Sequence, residues 1–203
     1  MEEKDTYSTI EKPSPEILYK DKKSKFLGFA FPVSHENEIK PILESLRMKH
    51  PNANHLCYAW QLGVSKVTYR ANDDGEPNNS AGMPIYGQIL SFGVTNILIV
   101  IVRFFGGTKL GVGGLIQAYR TTAKMALESA LVIEKKLETH FNLHFEYPEM
   151  ERVMRAIRQR HITVVSQKLE LKCAIHISVV RSKADPTRHF FEAMQRVRIQ
   201  VKN

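Results

Sequence analysis

Apolar residues alternate from Phe26 to Val33, with Leu27, Phe29, Phe31 and Val33 on one side, and this period of two predicts a strand. Ser34 then caps a helix in which Ile39, Ile42, Leu43 and Leu46 recur at helical spacing. Pro41 marks either a kink or a later start, and His50-Pro51-Asn52 marks the end. His55–Leu62 alternates again: Leu56, Tyr58, Trp60 and Leu62 face one way, and His55, Cys57, Ala59 and Gln61 the other. A further strand at about Lys66–Ala71 leads into the loop Asn72–Gly82. Pro84 suits the first turn of a second helix and Gly93 its stop. The run Ile97–Val102 is continuously apolar and rich in β-branched residues, the pattern of a strand buried on both faces, with Arg103 at its end. A glycine-rich segment follows, and Leu115 opens a helix to about Leu131. The stretch Tyr7–Lys23, with Pro13 and Pro15, reads as an approach segment without regular structure.

Beyond the charged link Glu134–Glu138 the pattern starts afresh. A strand at His140–Tyr147 buries Phe141, Leu143 and Phe145, and a helix from Pro148 to Arg160 follows. Strands at Ile162–Leu169 and Leu171–Val180, a helix from Asp185 to about Arg196 and a strand at Val197–Val201 complete the chain. The β-α-β-β-α-β order is the ferredoxin-like arrangement. The expected fold class is therefore α+β in two domains, residues 1–135 and a ferredoxin-like 139–203.

Composition narrows the function. The 203 residues are 43% hydrophobic and 25% charged, enough to bury a core, and no apolar run is long enough to span a membrane. The acidic, polar N-terminus does not resemble a secretion signal. Two distant cysteines, Cys57 and Cys173, both in strand-like runs, exclude a disulfide scaffold or a cysteine-ligated zinc site and fit a reduced cytoplasmic protein. The net charge of +8 is placed unevenly. Met1–Glu149 carries 17 Lys and Arg against 17 Asp and Glu, whereas Met150–Asn203 carries 12 against 4. Such asymmetry is either a solvated basic face or the footprint of a nucleic-acid contact.

Three clusters invite chemistry. Gly106, Gly107, Gly111, Gly113 and Gly114 lie between a strand and a helix, where free amides and a positive dipole end suit an anion, with Arg103 and Lys109 beside them. The segment is neither a Walker loop nor a dinucleotide fingerprint. Asp73, Asp74 and Glu76, flanked by Gly75 and Pro77, form either an acidic surface turn, a cation site without EF-hand spacing, or a partner for Arg103. Arg152, Arg155 and Arg158 fall on one helix face, opposite Val153, Met154 and Ile157, and would bind phosphates without reading sequence. Neither Cys57 with His55 nor His140 with His144 marks a nucleophile or metal pair. On a strand the two latter histidines stand about 13 Å apart. No metal or cofactor is expected.

These segments together resemble a known family. Asn72-Asp73-Asp74-Gly75-Glu76-Pro77, Ser80-Ala81-Gly82-Met83-Pro84 and Val102–Leu115 are similar to the signature of the YigZ/IMPACT family, and His55–Trp60 and Lys23–Phe26 match earlier parts of it. The resemblance covers about Lys20 to Ala130; Met83 stands where the family pattern has lysine. It implies a first domain like domain 2 of ribosomal protein S5 and a second like domain V of elongation factor G. Both parallels point to translation. Eukaryotic relatives act in translational control with an additional N-terminal domain that has no counterpart here, and that activity is not carried over. The resulting expectation is a non-enzymatic, cytoplasmic RNA- or ribosome-binding protein. The alternatives are an enzyme binding a phosphorylated small molecule or nucleotide through Gly106–Gly114, and a protein-interaction module.

Overall fold

Two strands open the chain where an irregular approach segment was expected: β1 (Thr6–Ile10) and β2 (Ile17–Asp21). In β2 only Ile17 and Tyr19 turn toward the core, while Leu18 and Lys20 are exposed, so the apolar signal is too short to announce a strand. The chain continues through β3 (Ser24–Pro32), α1 (Ile39–Lys49), β4 (His55–Leu62), β5 (Thr68–Asn72), α2 (Gly82–Phe92), β6 (Ile97–Phe104), α3 (Gly111–Ser129) and β7 (Val132–Lys136). It ends with β8 (Glu138–Glu146), α4 (Met150–Gln159), β9 (Thr163–Lys168), β10 (Lys172–Val180), α5 (Ala184–Glu192) and β11 (Val197–Val201). This computed structural model describes residues 5–202. It falls into two units, Tyr7–Lys135 and the residues from Lys136 onward together with Asp5 and Thr6.

The first unit is built on an antiparallel sheet of order β2-β3-β6-β4-β5. Helices α2 and α3 cover the face carrying Phe26, Cys57, Ile99 and Ile101, and α1 covers the face carrying Phe29, Trp60, Val100 and Val102. The central strand β6 is thus enclosed on both sides, and every residue from Ile97 to Val102 is fully buried, as its unbroken apolar run predicts. The strand does not stop at Arg103. It runs on to Phe104 and carries the arginine inside the sheet. The charged link also proves partly structured, since β7 pairs with β1.

Two helix starts differ from the expectation. Ser34 does not cap α1. Glu38 Oε1 instead accepts the backbone amides of Ser34 and His35 at 3.1 and 2.9 Å around a short 3-10 turn. The helix proper begins at Ile39, which places Pro41 in its first turn, where the missing amide costs nothing. Helix α3 begins at Gly111, four residues before Leu115.

The second unit has the order β8-α4-β9-β10-α5-β11, and its antiparallel strands lie β11-β8-β10-β9. Val153, Ala156 and Ile157 of α4 and Phe191 of α5 pack with Phe141, Leu143, Cys173 and Ile175 in one core, so both helices lie on one face. Helix α4 closes with two bonds, His161 N to Arg158 O and Ile162 N to Ile157 O, each near 3 Å. That double closure usually has glycine in the left-handed position. Here it is His161, at φ 52°.

Candidate functional site

The acidic loop after β5 is held by its own carboxylates. Asp73 Oδ1 accepts the amides of Ala81 and Gly82 at 2.9 and 2.8 Å, closing the loop onto the start of α2, and its Oδ2 accepts Asn79 N. Asp74 Oδ2 accepts Leu56 N at 2.7 Å, and its Oδ1 pairs with Arg47 at 2.8 Å. Glu76 turns inward and is 93% buried. Its Oε1 accepts from Arg103 Nη1 at 2.6 Å and from the Tyr119 hydroxyl at 2.7 Å. Pro77 O in turn accepts the Ser80 hydroxyl, and Gly75, at φ 86°, makes the turn that brings Glu76 inward.

Arg103 is therefore not presented to a phosphate, in contrast to its sequence-based assignment. Its side chain is 6% exposed, spent on Glu76, and flanked by the Phe26 and Phe105 rings at 5.4 and 5.7 Å. The reason is register: β6 extends one turn of the pleat further than its apolar run, and position 103 points to the face covered by α3. The three carboxylates of the loop all have protein donors, and among the described residues no group of three His, Cys, Asp or Glu is disposed to hold a metal.

The same buried network takes in Cys57. Its thiol lies 3.3 Å from the Tyr119 hydroxyl and 3.0 Å from the carbonyl of Asp73. Burial pushes the Cys57 thiol well above its ordinary value, and the carboxylates of Glu76, Asp74 and Asp73 add to this against the hydrogen bond with Tyr119. Burial likewise raises Tyr119. A thiol held protonated is a poor nucleophile. His55 serves the loop rather than the thiol: its Nδ1 donates to Asp74 O at 2.8 Å, and its Nε2 stands 4.0 Å from Glu76 Oε2. Arg47 and Asn54 are not legible as site residues. Tyr119 reads as one more apolar position of α3, yet it completes the network, and Asn54 Oδ1 accepts the amide of Phe105 at 2.7 Å where the glycine loop begins.

In that loop Gly106 is required by packing. A Cβ there would stand 2.0 Å from Lys23 C and 2.3 Å from Ser24 N. Gly107 and Gly111 take positive φ, and Gly114 lies against Leu110. Gly113 is different. Its φ is ordinary, a Cβ would meet nothing within 4 Å, and it sits exposed in the first turn of α3, where no side chain caps the amides. Lys109 is also exposed, and among the described residues it makes no ion pair.

On α4, Arg152, Arg155 and Arg158 are all exposed. Arg152 reaches Glu149 at 3.4 Å and Arg155 reaches Glu151 at 2.6 Å, while Arg158 makes no ion pair among the described residues. Surface pairs of this kind contribute about 0.3–0.5 kcal/mol and are readily exchanged for another anion. Breaking a buried pair such as Glu76–Arg103 costs roughly 3–5 kcal/mol. The magnitudes separate the two groups of arginines: those of α4 are available, and Arg103 is not.

The sheet face opposite α4 and α5 carries His140, Asn142, His144, Lys172 and His176. His140 Nδ1 and His176 Nε2 are 3.0 Å apart, and Lys202 Nζ lies 3.3 Å from His176 Nδ1. The ammonium can only donate, so the neutral His176 carries its proton on Nε2 and donates it to His140.

Residues 22–127 match the Impact N-terminal domain family. The IMPACT family member YigZ of Escherichia coli is 30% identical over 169 residues, covering 82% of this chain and 83% of its own. An IMPACT family member from Thermus thermophilus is 38% identical over 142 residues, 69% of this chain and 75% of that one. A crystal structure described as that of a hypothetical protein superposes with a TM-score of 0.69 at 25% identity, covering 98% of both chains. No helix among the described residues is long and apolar enough to cross a membrane. The matched span contains the acidic loop, Arg103, Tyr119 and the glycine loop that the geometry draws together, and the chain belongs to the IMPACT family.

Proposed function

We propose that this protein binds RNA, as ribosomal RNA within the ribosome, and acts in translation or its regulation. The observation that carries the reading is the exposed arginine row of α4 in the segment Met150–Asn203, which holds the entire net charge. Phosphates are bound by exchange: the polyanion displaces weak carboxylate partners and releases its own counterions. Lys109 and the open backbone at Gly113 supply a second contact, with Gly106, Gly107, Gly111 and Gly114 shaping the loop. Arg103 acts there as a positioning residue that fixes the strand end and the acidic loop.

The proposed architecture agrees with this. Strands ordered fourth-first-third-second in a β-α-β-β-α-β chain support a ferredoxin-like second domain. We assign the first unit to the S5 domain 2-like class that the family resemblance implies. A fold likeness is a weaker warrant than a site. The working residues of the reading are therefore Arg152, Arg155, Arg158 and Lys109. Fluorescence anisotropy with a ribosomal RNA fragment across a salt series tests it: Lys109→Ala and Arg158→Ala each weaken binding and flatten its salt dependence. Unchanged affinity in both variants contradicts it.

A further inference from the structure

The second unit contains a cleft of about 360 Å³ that neither the arginine row nor the glycine loop uses. Lys136, Arg160, His161 and Lys183 line it, with Glu138 as its single lining carboxylate. These basic residues come from three places in the chain: the end of β7, the segment after α4 (which supplies both Arg160 and His161), and the turn before α5. Among the described residues none of Lys136, Arg160 and Lys183 makes an ion pair, although Arg160 stacks on the Phe190 ring at 3.6 Å. Elsewhere on this unit Arg152, Arg155 and Arg188 each have a carboxylate.

Two further features belong to the cleft wall. Ser178 borders the cleft at 3% exposure, but its unpartnered Oγ is closed off, and its register with His140 turns it to the sheet face away from the helices. The second is His161. It occupies the left-handed position of the α4 closure, where glycine is the favoured residue, and it stands at the cleft wall. Ile162 and Pro186 supply an apolar side to the same cleft.

We infer that this cleft binds a phosphate monoester of a nucleotide, held by Lys136, Arg160, His161 and Lys183. A dianionic phosphate matches the surplus of cations, and the volume and apolar side suit the attached nucleoside. The group is supplied either by a free mononucleotide or by the 5′ end of an RNA chain. The inference stands independently of the arginine row, which recognises internal phosphates.

Calorimetric titration of the full chain tests it, using AMP, adenosine, inorganic phosphate, and short oligoadenylates with a 5′-phosphate or a 5′-hydroxyl. AMP or the 5′-phosphorylated oligonucleotide binds, adenosine does not, and the 5′-hydroxyl form, left only its internal phosphates, binds more weakly than the 5′-phosphorylated one. AMP binding as tightly as the oligonucleotide identifies the free nucleotide, and binding of the oligonucleotide alone identifies the RNA end. Lys136→Ala with Lys183→Ala weakens binding about tenfold or more. His161→Gly weakens it with the melting temperature held or raised, which separates binding from folding. Lys168→Ala with Lys172→Ala, outside the cleft, leaves it unchanged. Absence of binding at millimolar AMP, oligonucleotide and phosphate overturns the inference. So does equal binding of adenosine, or an equal loss in the Lys168 and Lys172 variant.

Discussion

Glu76 Oε1 and Arg103 Nη1 meet at 2.6 Å although 27 residues separate them, and both side chains are almost wholly buried. The pair binds the acidic loop to the central strand, and Tyr119 adds the covering helix through the same carboxylate oxygen. Removing one partner leaves the other charge buried and uncompensated. Arg103→Ala and Glu76→Gln should each lower unfolding stability by about 3–5 kcal/mol in chemical denaturation. Arg103→Met combined with Glu76→Leu should lose much less than either alone.

The glycine loop separates structural from surface demands. Gly106→Ala drives a methyl into the backbone of Lys23 and Ser24 and should cost at least about 2 kcal/mol. Gly113→Ala meets nothing and should stabilise the chain by roughly 0.5–1 kcal/mol, since alanine loses less backbone entropy in a helix. If RNA lies against this turn, the stabilised variant binds it more weakly. Paired melting curves and anisotropy titrations read both effects.

Cys57 should be inert to iodoacetamide in the native protein at pH 8, because burial holds its thiol protonated, and it should react once denaturant opens the first unit. Mass spectrometry of the alkylated peptide, taken before and after unfolding, checks this.

Acid should weaken the second unit through His176. Desolvation, with the charges of Lys202 and His140, lowers its folded pKa below the ordinary 6.5. Between those two values the unfolded chain binds the proton better, so stability is full above about pH 6.5 and declines as the pH falls through that window. His176→Gln should flatten the decline, read as melting temperature between pH 7.5 and 5.5.

Much of this fold is legible in the sequence because its core strands carry long, consistent patterns. The two faces of β4 and the double burial of β6 follow directly from alternation and from an unbroken apolar run. What escapes the pattern depends on partners distant in the chain. β1 and β7 are short and half polar, and only their pairing with each other makes them strands. Arg103 resembles a strand terminus because arginine ends apolar runs. Its burial becomes intelligible only when Glu76 and Tyr119 arrive from other elements. Tyr119 itself fits an apolar stripe whether or not its hydroxyl bonds to anything. The row Arg152, Arg155 and Arg158 was visible from spacing alone, but its exchangeable pairs with Glu149 and Glu151 required the structure.

The central claim is ribosome contact through that arginine row. Its most direct test is co-sedimentation with bacterial ribosomes and isolated subunits across a salt series, comparing the protein with Arg152→Ala, Arg155→Ala and Arg158→Ala combined. The account predicts saturable binding to one particle, weakened in the triple variant, with the slope of log affinity against log salt reduced by about 2. Absence of sedimentation even at low salt, or identical curves for the two proteins, would contradict it.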